Sequence, residues 1–119
     1  MLNKLPYQKL EIWKKAMALA KLVFLATKAF PKEQLFVLVP QMQRAALSVA
    51  GNIAEGSQRT TKKDFTNFLA ISLGSLVELE TQIILSFSLE YLPKDVYQEQ
   101  MREIDALKKM IYVFSQRMK

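Results

Sequence analysis

The sequence predicts an all-α fold, an antiparallel up-and-down bundle of four helices formed by a single domain over residues 1–119. Three observations predict it. Hydrophobic residues make up 50% of the chain and charged residues 24%, a balance typical of a globular protein. The chain contains only three glycines and four prolines, so it has few places to turn. Apolar residues recur along most of it with the period of an amphipathic helix.

Prolines and a glycine delimit the first two predicted helices. The first runs from Lys9 to Ala29 and ends before Pro31, because a proline disfavours the helical conformation in the residue before it. The second begins at Pro40, since proline is favoured at the first position of a helix. It ends near Gly56, which we expect to form a left-handed cap.

A capping signal and a fourth proline delimit the other two helices. Thr61, followed three residues later by Asp64, predicts the start of the third helix, which runs to about Glu90. Gly74 in its middle predicts a close crossing with another helix. Pro93 opens the fourth helix, which continues to the carboxyl terminus. Since the loops are short, consecutive helices are expected to lie antiparallel.

The absence of cysteine and histidine excludes several classes of site. No disulfide can form, and no thiolate or imidazole is available as a nucleophile, a neutral-pH base or a metal ligand. We therefore expect no enzyme activity, no metal and no cofactor. The amino terminus lacks the apolar core of a secretory signal, and the longest uncharged stretch, residues 65–77, is too short to span a bilayer. These features predict a cytoplasmic protein without a membrane partner.

The formal net charge of +6 is concentrated on the first helix. Three lysines recur there at heptad spacing and form a stripe about 20 Å long. A second basic cluster occupies the turn between the second and third helices. Such cations either neutralise phosphates of a nucleic acid or simply keep a helix face in water, and the sequence leaves both interpretations open. The candidate nucleic-acid-binding residues are Lys14, Lys15, Lys21, Lys28, Arg59, Lys62 and Lys63.

The second helix combines a narrow polar stripe with an unusually broad apolar surface. This breadth predicts burial on two sides, by the bundle itself and by a neighbouring subunit. The polar stripe and two carboxylates of the third helix predict a structural polar network, in which Arg44 is a candidate partner for Glu80. A ligand-binding strip is the alternative. The predicted network consists of Arg44, Asn52, Glu55, Arg59, Glu78 and Glu80.

Residues 35–59 and 62–82 carry a more specific pattern. Its parts are Gln41, Arg44-Ala45-Ala46, residues 52–56, Arg59, Asp64-Phe65, Phe68-Leu69 and residues 74–79. This pattern resembles the four-helix bundle proteins encoded by intervening sequences of bacterial 23S ribosomal RNA. The resemblance covers nearly the whole chain and is least informative in the fourth helix.

The resemblance implies a left-handed four-helix bundle that assembles as a homopentamer, has no known enzymatic activity and associates with RNA or DNA. The chain departs from the family pattern at three positions. Ala50 stands where the family usually has proline, Gly51 where it has alanine, and Pro40 where it has a polar residue. We expect the fold to tolerate these changes, whereas the packing between subunits is sensitive to them.

Three functions follow as hypotheses. The first is a non-enzymatic, self-associating basic bundle that binds structured RNA or DNA through its lysine-rich faces. The second is a structural scaffold or adaptor that binds another protein without nucleic acid. The third is an enzyme that uses Glu55, Glu78 or Glu80, which the lack of a second catalytic group disfavours.

Overall fold

Four long helices form most of the protein in the computed structural model, which describes residues 6–119. A short 3₁₀ turn precedes the first helix and another follows it, and no strand occurs within this range. The predicted all-α, four-helix fold is therefore confirmed. The four helices are α1 (Glu11–Thr27), α2 (Leu38–Ser57), α3 (Lys62–Ser88) and α4 (Lys94–Arg117).

Hydrogen bonds between α2 and α3 establish that the two helices run antiparallel. The Ser72 hydroxyl donates to the carbonyl oxygen of Val49 at 2.9 Å, and the Ser86 hydroxyl donates to the sulfur of Met42 at 3.4 Å. Residue numbers therefore rise along α3 as they fall along α2. This pair forms the most extensive helix contact of the bundle.

The fourth helix closes the bundle by packing on both α3 and α1. Near its start, the ring of Tyr97 stacks on the ring of Phe87 with a centroid distance of 4.1 Å. On its other side, Glu103 forms an ion pair with Lys15 of α1 at 3.7 Å. Each helix thus packs on its neighbour in the sequence, and α4 packs back on α1. The start of α1, the α2–α3 turn and the end of α4 consequently share one end of the molecule, whose longest dimension is 49 Å.

Aliphatic side chains from all four helices fill the core. The alanines Ala45, Ala46 and Ala50 of α2 are buried among them, and their short side chains let the neighbouring helices approach α2 closely. Ten of the 20 residues of α2 are buried by the bundle itself, whereas the apolar Leu47 is about half-exposed. The largest fully buried aliphatic side chains are Leu19, Met42, Ile53, Leu69, Leu76, Leu79, Ile83, Ile104, Leu107 and Ile111.

The caps of α2 and α3 agree only partly with the prediction. Helix α2 begins at Leu38, two residues before Pro40, whose missing N–H lies in the first turn, where no intrahelical acceptor exists for it. The predicted cap of α3 is confirmed, since the Thr61 hydroxyl oxygen accepts from the Asp64 amide at 3.1 Å. At the other end of α3, Glu90 adopts the left-handed conformation with φ 65°.

Two predictions about glycines are wrong. Gly56 is helical rather than a left-handed cap, and no glycine within residues 6–119 has positive φ. Its absent side chain makes room for α3, because a Cβ there would lie 2.6 Å from Cβ of Phe68. At Gly74 a Cβ would meet nothing within 4 Å, so no close crossing occurs there. The close approach of α2 and α3 is thus located at Gly56.

Helix α3 is unusually apolar for a helix of which only part is buried. It is the one helix of residues 6–119 whose length and composition would allow it to cross a membrane, although the uncharged stretch 65–77 alone is too short. Only 33% of its most apolar 18-residue window is buried. Core helices of soluble proteins meet the same criterion, and α3 packs on both α2 and α4 through a face that includes the buried Ser72 and Ser86.

Candidate nucleic-acid interface

Cations from three separate parts of the chain meet at one end of the bundle. Phe65 at the start of α3 packs on Phe114 near the end of α4, with a ring-centroid distance of 5.5 Å, and residues 9–12 share a groove with residues 109–117. Within residues 6–119 the acidic residues nearby include Glu11, Glu55 and Asp64, together with Glu103, which pairs with Lys15. We call this surface the basic end. It consists of Lys9, Lys14, Lys15, Arg59, Lys62, Lys63, Lys109, Arg117 and Lys119.

Lys62 and Lys63 occupy an unusual position within the basic end. They are the first two residues of α3, both are exposed, and neither has a carboxylate partner within residues 6–119. The start of a helix carries a positive partial charge and unpaired N–H groups, so a cation there costs about 0.3–1 kcal/mol. Asp64 alone offsets this charge in the first turn. The combined field favours a bound anion such as a phosphate.

Arg59 is held by two interactions at the α2–α3 corner. Its Nη2 atom lies 2.6 Å from Glu55 Oε1, and its guanidinium carbon lies 4.7 Å from the centre of the Phe68 ring. A guanidinium engaged with a carboxylate and an aromatic face has fewer donors free for a phosphate. Among the predicted nucleic-acid-binding residues, Arg59 is therefore engaged mainly in contacts within the protein.

The heptad lysines of α1 lie on its outward face, as their spacing predicts. Lys14 is paired with Glu11 at 3.3 Å, whereas Lys21 and Lys28 have no ion pair within residues 6–119. The exposed side chains of Met17 and Leu25 lie between these lysines. The stripe is therefore a mixed apolar and basic surface that leads away from the basic end.

Lys15 does not belong to this stripe. It points towards α4, where its ammonium group pairs with Glu103 at 3.7 Å. Because the two partners lie on different helices, the pair fastens α1 to α4 at the surface. An exposed pair of this kind contributes about 0–1 kcal/mol.

Four cations of the basic end, Lys9, Lys109, Arg117 and Lys119, were missed by reading the sequence alone. Lys9, Lys109 and Arg117 line a groove of 470 Å³ between the start of α1 and the end of α4, whose apolar lining includes Met110 and Phe114. Lys109, residue 113 and Arg117 follow one another at helical spacing on one face of α4. That spacing is visible in the sequence, but only the antiparallel packing brings the face beside Lys9.

The polar side chains of α2 form two local groups instead of one network. Asn52 donates to the carbonyl oxygen of Ser48 at 2.8 Å and to its hydroxyl at 3.0 Å, and that hydroxyl lies 2.8 Å from the hydroxyl of Ser75 on α3. This group joins the two helices. The Glu55–Arg59 pair described above forms the second group, one turn further along α2.

The remaining three members of the predicted network are separated. Glu80 accepts from Lys108 of α4 at 2.7 Å, so its expected partner Arg44 is wrong. The Nε atom of Arg44 instead donates to the carbonyl oxygen of Pro40 at 3.5 Å, within its own helix. Arg44 and Glu78 are both exposed, and neither forms an ion pair within residues 6–119. Within the same range no cluster of acidic side chains has the arrangement of a metal site.

Comparison with known proteins identifies the family. A family model described as 23S rRNA-intervening sequence protein matches residues 8–113. The chain belongs to this family. Among solved structures, this intervening sequence protein is similar to a protein of unknown function from the S23 ribosomal protein family of Bacteroides thetaiotaomicron. The two are 25% identical with a TM-score of 0.79, over 87% of this chain and 97% of the other. Comparison with curated proteins gives no significant match.

Proposed function

We propose that this intervening sequence protein is a non-enzymatic, self-associating bundle that binds structured RNA or DNA in the cytoplasm. The basic end carries the contact. The main support is the placement of Lys62 and Lys63, two cations without carboxylate partners in residues 6–119, at the positive end of the α3 dipole. Lysine ammonium groups contact phosphates without reading bases, so the proposed binding follows backbone charge and shape.

Self-association strengthens such binding. Each lysine–phosphate contact is weak at physiological salt, but several basic ends held in one assembly act together. The family resemblance implies a pentamer, and five chains of +6 would carry about +30 in formal charge. A charge of this size attracts an RNA backbone over distances of about one Debye length, or ~8 Å at physiological ionic strength.

The test compares two lysine pairs that differ in the end of the molecule they occupy. The variant Lys62→Ala/Lys63→Ala removes the cations at the start of α3. The control, Lys32→Ala/Lys94→Ala, removes exposed cations at the opposite end, and Lys94 is likewise the first residue of a helix. Binding of a labelled RNA hairpin and of duplex DNA of equal length is followed by fluorescence anisotropy over a salt series.

We expect the first variant to bind more weakly and to lower the slope of log affinity against log salt by about 2. The control should keep the slope of the unmodified protein. Absence of binding by the unmodified protein at low salt would refute the nucleic-acid function. Equal weakening by the control would refute the assignment to the basic end.

A scaffold that binds another protein is the second candidate. It is favoured by the loop before α2, where Phe36 is 87% exposed between the half-exposed Leu35 and Val37. Exposed apolar clusters of this kind mark interaction sites. The two candidates separate in a pull-down performed before and after nuclease treatment. A stoichiometric protein partner that survives nuclease and is lost with Phe36→Ser supports the scaffold.

A further inference from the structure

We infer that copies of this chain associate through the outward surface shared by α2 and α3. This inference rests on the proposed self-association and assigns it to a surface. The surface combines exposed apolar side chains, two unpaired charges of opposite sign and two glycines. We call it the α2–α3 face, and it comprises Arg44, Leu47, Gly51, Ile71, Gly74, Glu78 and Leu85.

The apolar character of the face is the first argument. Ile71 and Leu85 of α3 and Leu47 of α2 are each about half-exposed, and within residues 6–119 no element other than α3 has as many exposed large apolar side chains. On α4, by contrast, the outward positions include the charged Arg102 and Asp105, as expected of a helix that faces water. The outward surface of α3 is therefore suited to contact another protein surface.

The charges are the second argument. The hydrogen bond between Ser48 and Ser75 sets the register of the two helices. Arg44 lies about one helical turn before Ser48, and Glu78 lies about one turn after Ser75, so antiparallel packing puts Arg44 and Glu78 at the same level. Within residues 6–119 neither has an ion-pair partner within 4.0 Å. Both charges are thus available to a partner.

The glycines are the third argument. Gly51 and Gly74 are exposed, and a Cβ at either position would meet nothing within 4 Å. Each costs the helix about 0.8–1.0 kcal/mol relative to alanine. Packing inside one chain does not explain them. Together with Ser48 they leave a shallow surface, which lets the helix of a partner approach closely.

A second copy is the partner that fits this combination. The surface presents an anion and a cation, so its partner must present a cation and an anion beside apolar residues. A second copy supplies it when the α2 part of the face in one copy contacts the α3 part in the next, so that Arg44 of one copy meets Glu78 of the next. Because α2 and α3 are neighbours around the bundle, their outward directions are turned relative to one another instead of opposed. Repeated α2-to-α3 contacts can therefore close into a ring. The basic end stays free of the contact.

The experiment exchanges the two charges. Solution mass is measured by light scattering over a concentration series for Arg44→Glu, Glu78→Arg and the double variant. The control is Arg102→Glu, a reversal of the same kind on the outward side of α4. Each single reversal replaces an attraction by a repulsion and should weaken association about tenfold. The double variant should recover the mass of the unmodified protein, and the control should not change it.

A fourth variant tests the apolar part independently of the charges. Leu85→Asp places a carboxylate at a half-exposed position, so circular dichroism should show an intact bundle while the measured mass falls to that of one chain of 13.7 kDa. If the unmodified protein oligomerises and neither Glu78→Arg nor Leu85→Asp alters its mass, the α2–α3 face is the wrong surface, and the proposed function stands. If the unmodified protein is itself a monomer, self-association fails and this inference fails with it, whereas nucleic-acid binding is judged by its own salt series.

Discussion

The three glycines of the chain provide a test in which the same substitution has opposite effects at different positions. All three lie within helices and have negative φ, so alanine is compatible with the backbone at each. We predict that Gly56→Ala destabilises the protein, whereas Gly51→Ala and Gly74→Ala stabilise it.

The magnitudes follow from the space around each position. At Gly56 a new Cβ would lie 2.6 Å from Cβ of Phe68 and 3.0 Å from Cδ1 of Phe65. Since the Phe68 Cβ is fixed to the backbone of α3, side-chain rotation cannot remove the clash and the helices must separate. Overpacking of this kind costs about 1–3 kcal/mol, which exceeds the gain of at most about 1 kcal/mol in helix propensity. At Gly51 and Gly74 a new Cβ would meet nothing within 4 Å, so within one chain only the gain applies.

Urea unfolding followed by circular dichroism measures the free energy of unfolding of each variant. For a chain of this size, 1 kcal/mol corresponds to a shift in melting temperature of about 3–6 °C, so thermal melts provide a second reading. Because Gly51 and Gly74 belong to the α2–α3 face, mass is checked at the same protein concentration. If the Gly56→Ala variant is as stable as the unmodified protein or more stable, the packing argument is refuted. If the Gly74→Ala variant is less stable than the unmodified protein when both are monomeric, the space around Gly74 within the chain is not open.

The remaining predictions concern single interactions. Gln100 is fully buried, and its Nε2 and Oε1 atoms have no hydrogen-bond partner within residues 6–119. The variant Gln100→Met should therefore raise the free energy of unfolding by about 1–3 kcal/mol. A lower free energy of unfolding in denaturant melts would instead indicate an ordered water bound to Gln100. Thr61→Ala removes the cap of α3 and should cost about 1 kcal/mol, and an unchanged melt would contradict this role. Replacing Glu80 and Lys108 by alanine, singly and together, should give a coupling energy of about 0.5–1 kcal/mol that falls in high salt; a salt-independent value would contradict an ionic origin. Glu90→Gly should stabilise the protein by about 1 kcal/mol because glycine adopts positive φ freely, and a lower melting temperature would refute that.

The helices could be predicted from the sequence because their signals are local. The position of a proline, the Thr61–Asp64 cap and the apolar period each act within a few residues of the structure they determine. The errors at Gly56 and Gly74 have another origin. Whether a glycine marks a cap, a crossing or an open surface depends on the side chains of the opposing helix, and no local pattern contains that information.

The candidate site likewise has one part that could be predicted from the sequence and one part that could not. The cluster formed by Arg59, Lys62 and Lys63 is contiguous enough to be recognised in the sequence. Its extension by Lys9 and Arg117 depends on which ends of the helices meet, and therefore on the topology of the whole bundle. The predicted partner of Glu80 was wrong for a related reason, because no motif in the sequence fixes the register of α4 relative to α3.

Trp13 gives the molecule a built-in optical reporter. It is the only tryptophan of the chain, it lies in the first turn of α1 beside Lys14, and its ring meets that of Tyr7 edge-on at 5.3 Å between centroids. Its indole is only partly buried, so its emission responds to changes in local hydration and to nearby nucleobases. Occupation of the basic end should therefore be visible in the native chain without a dye, whereas events on the far side of the bundle should leave the spectrum unchanged.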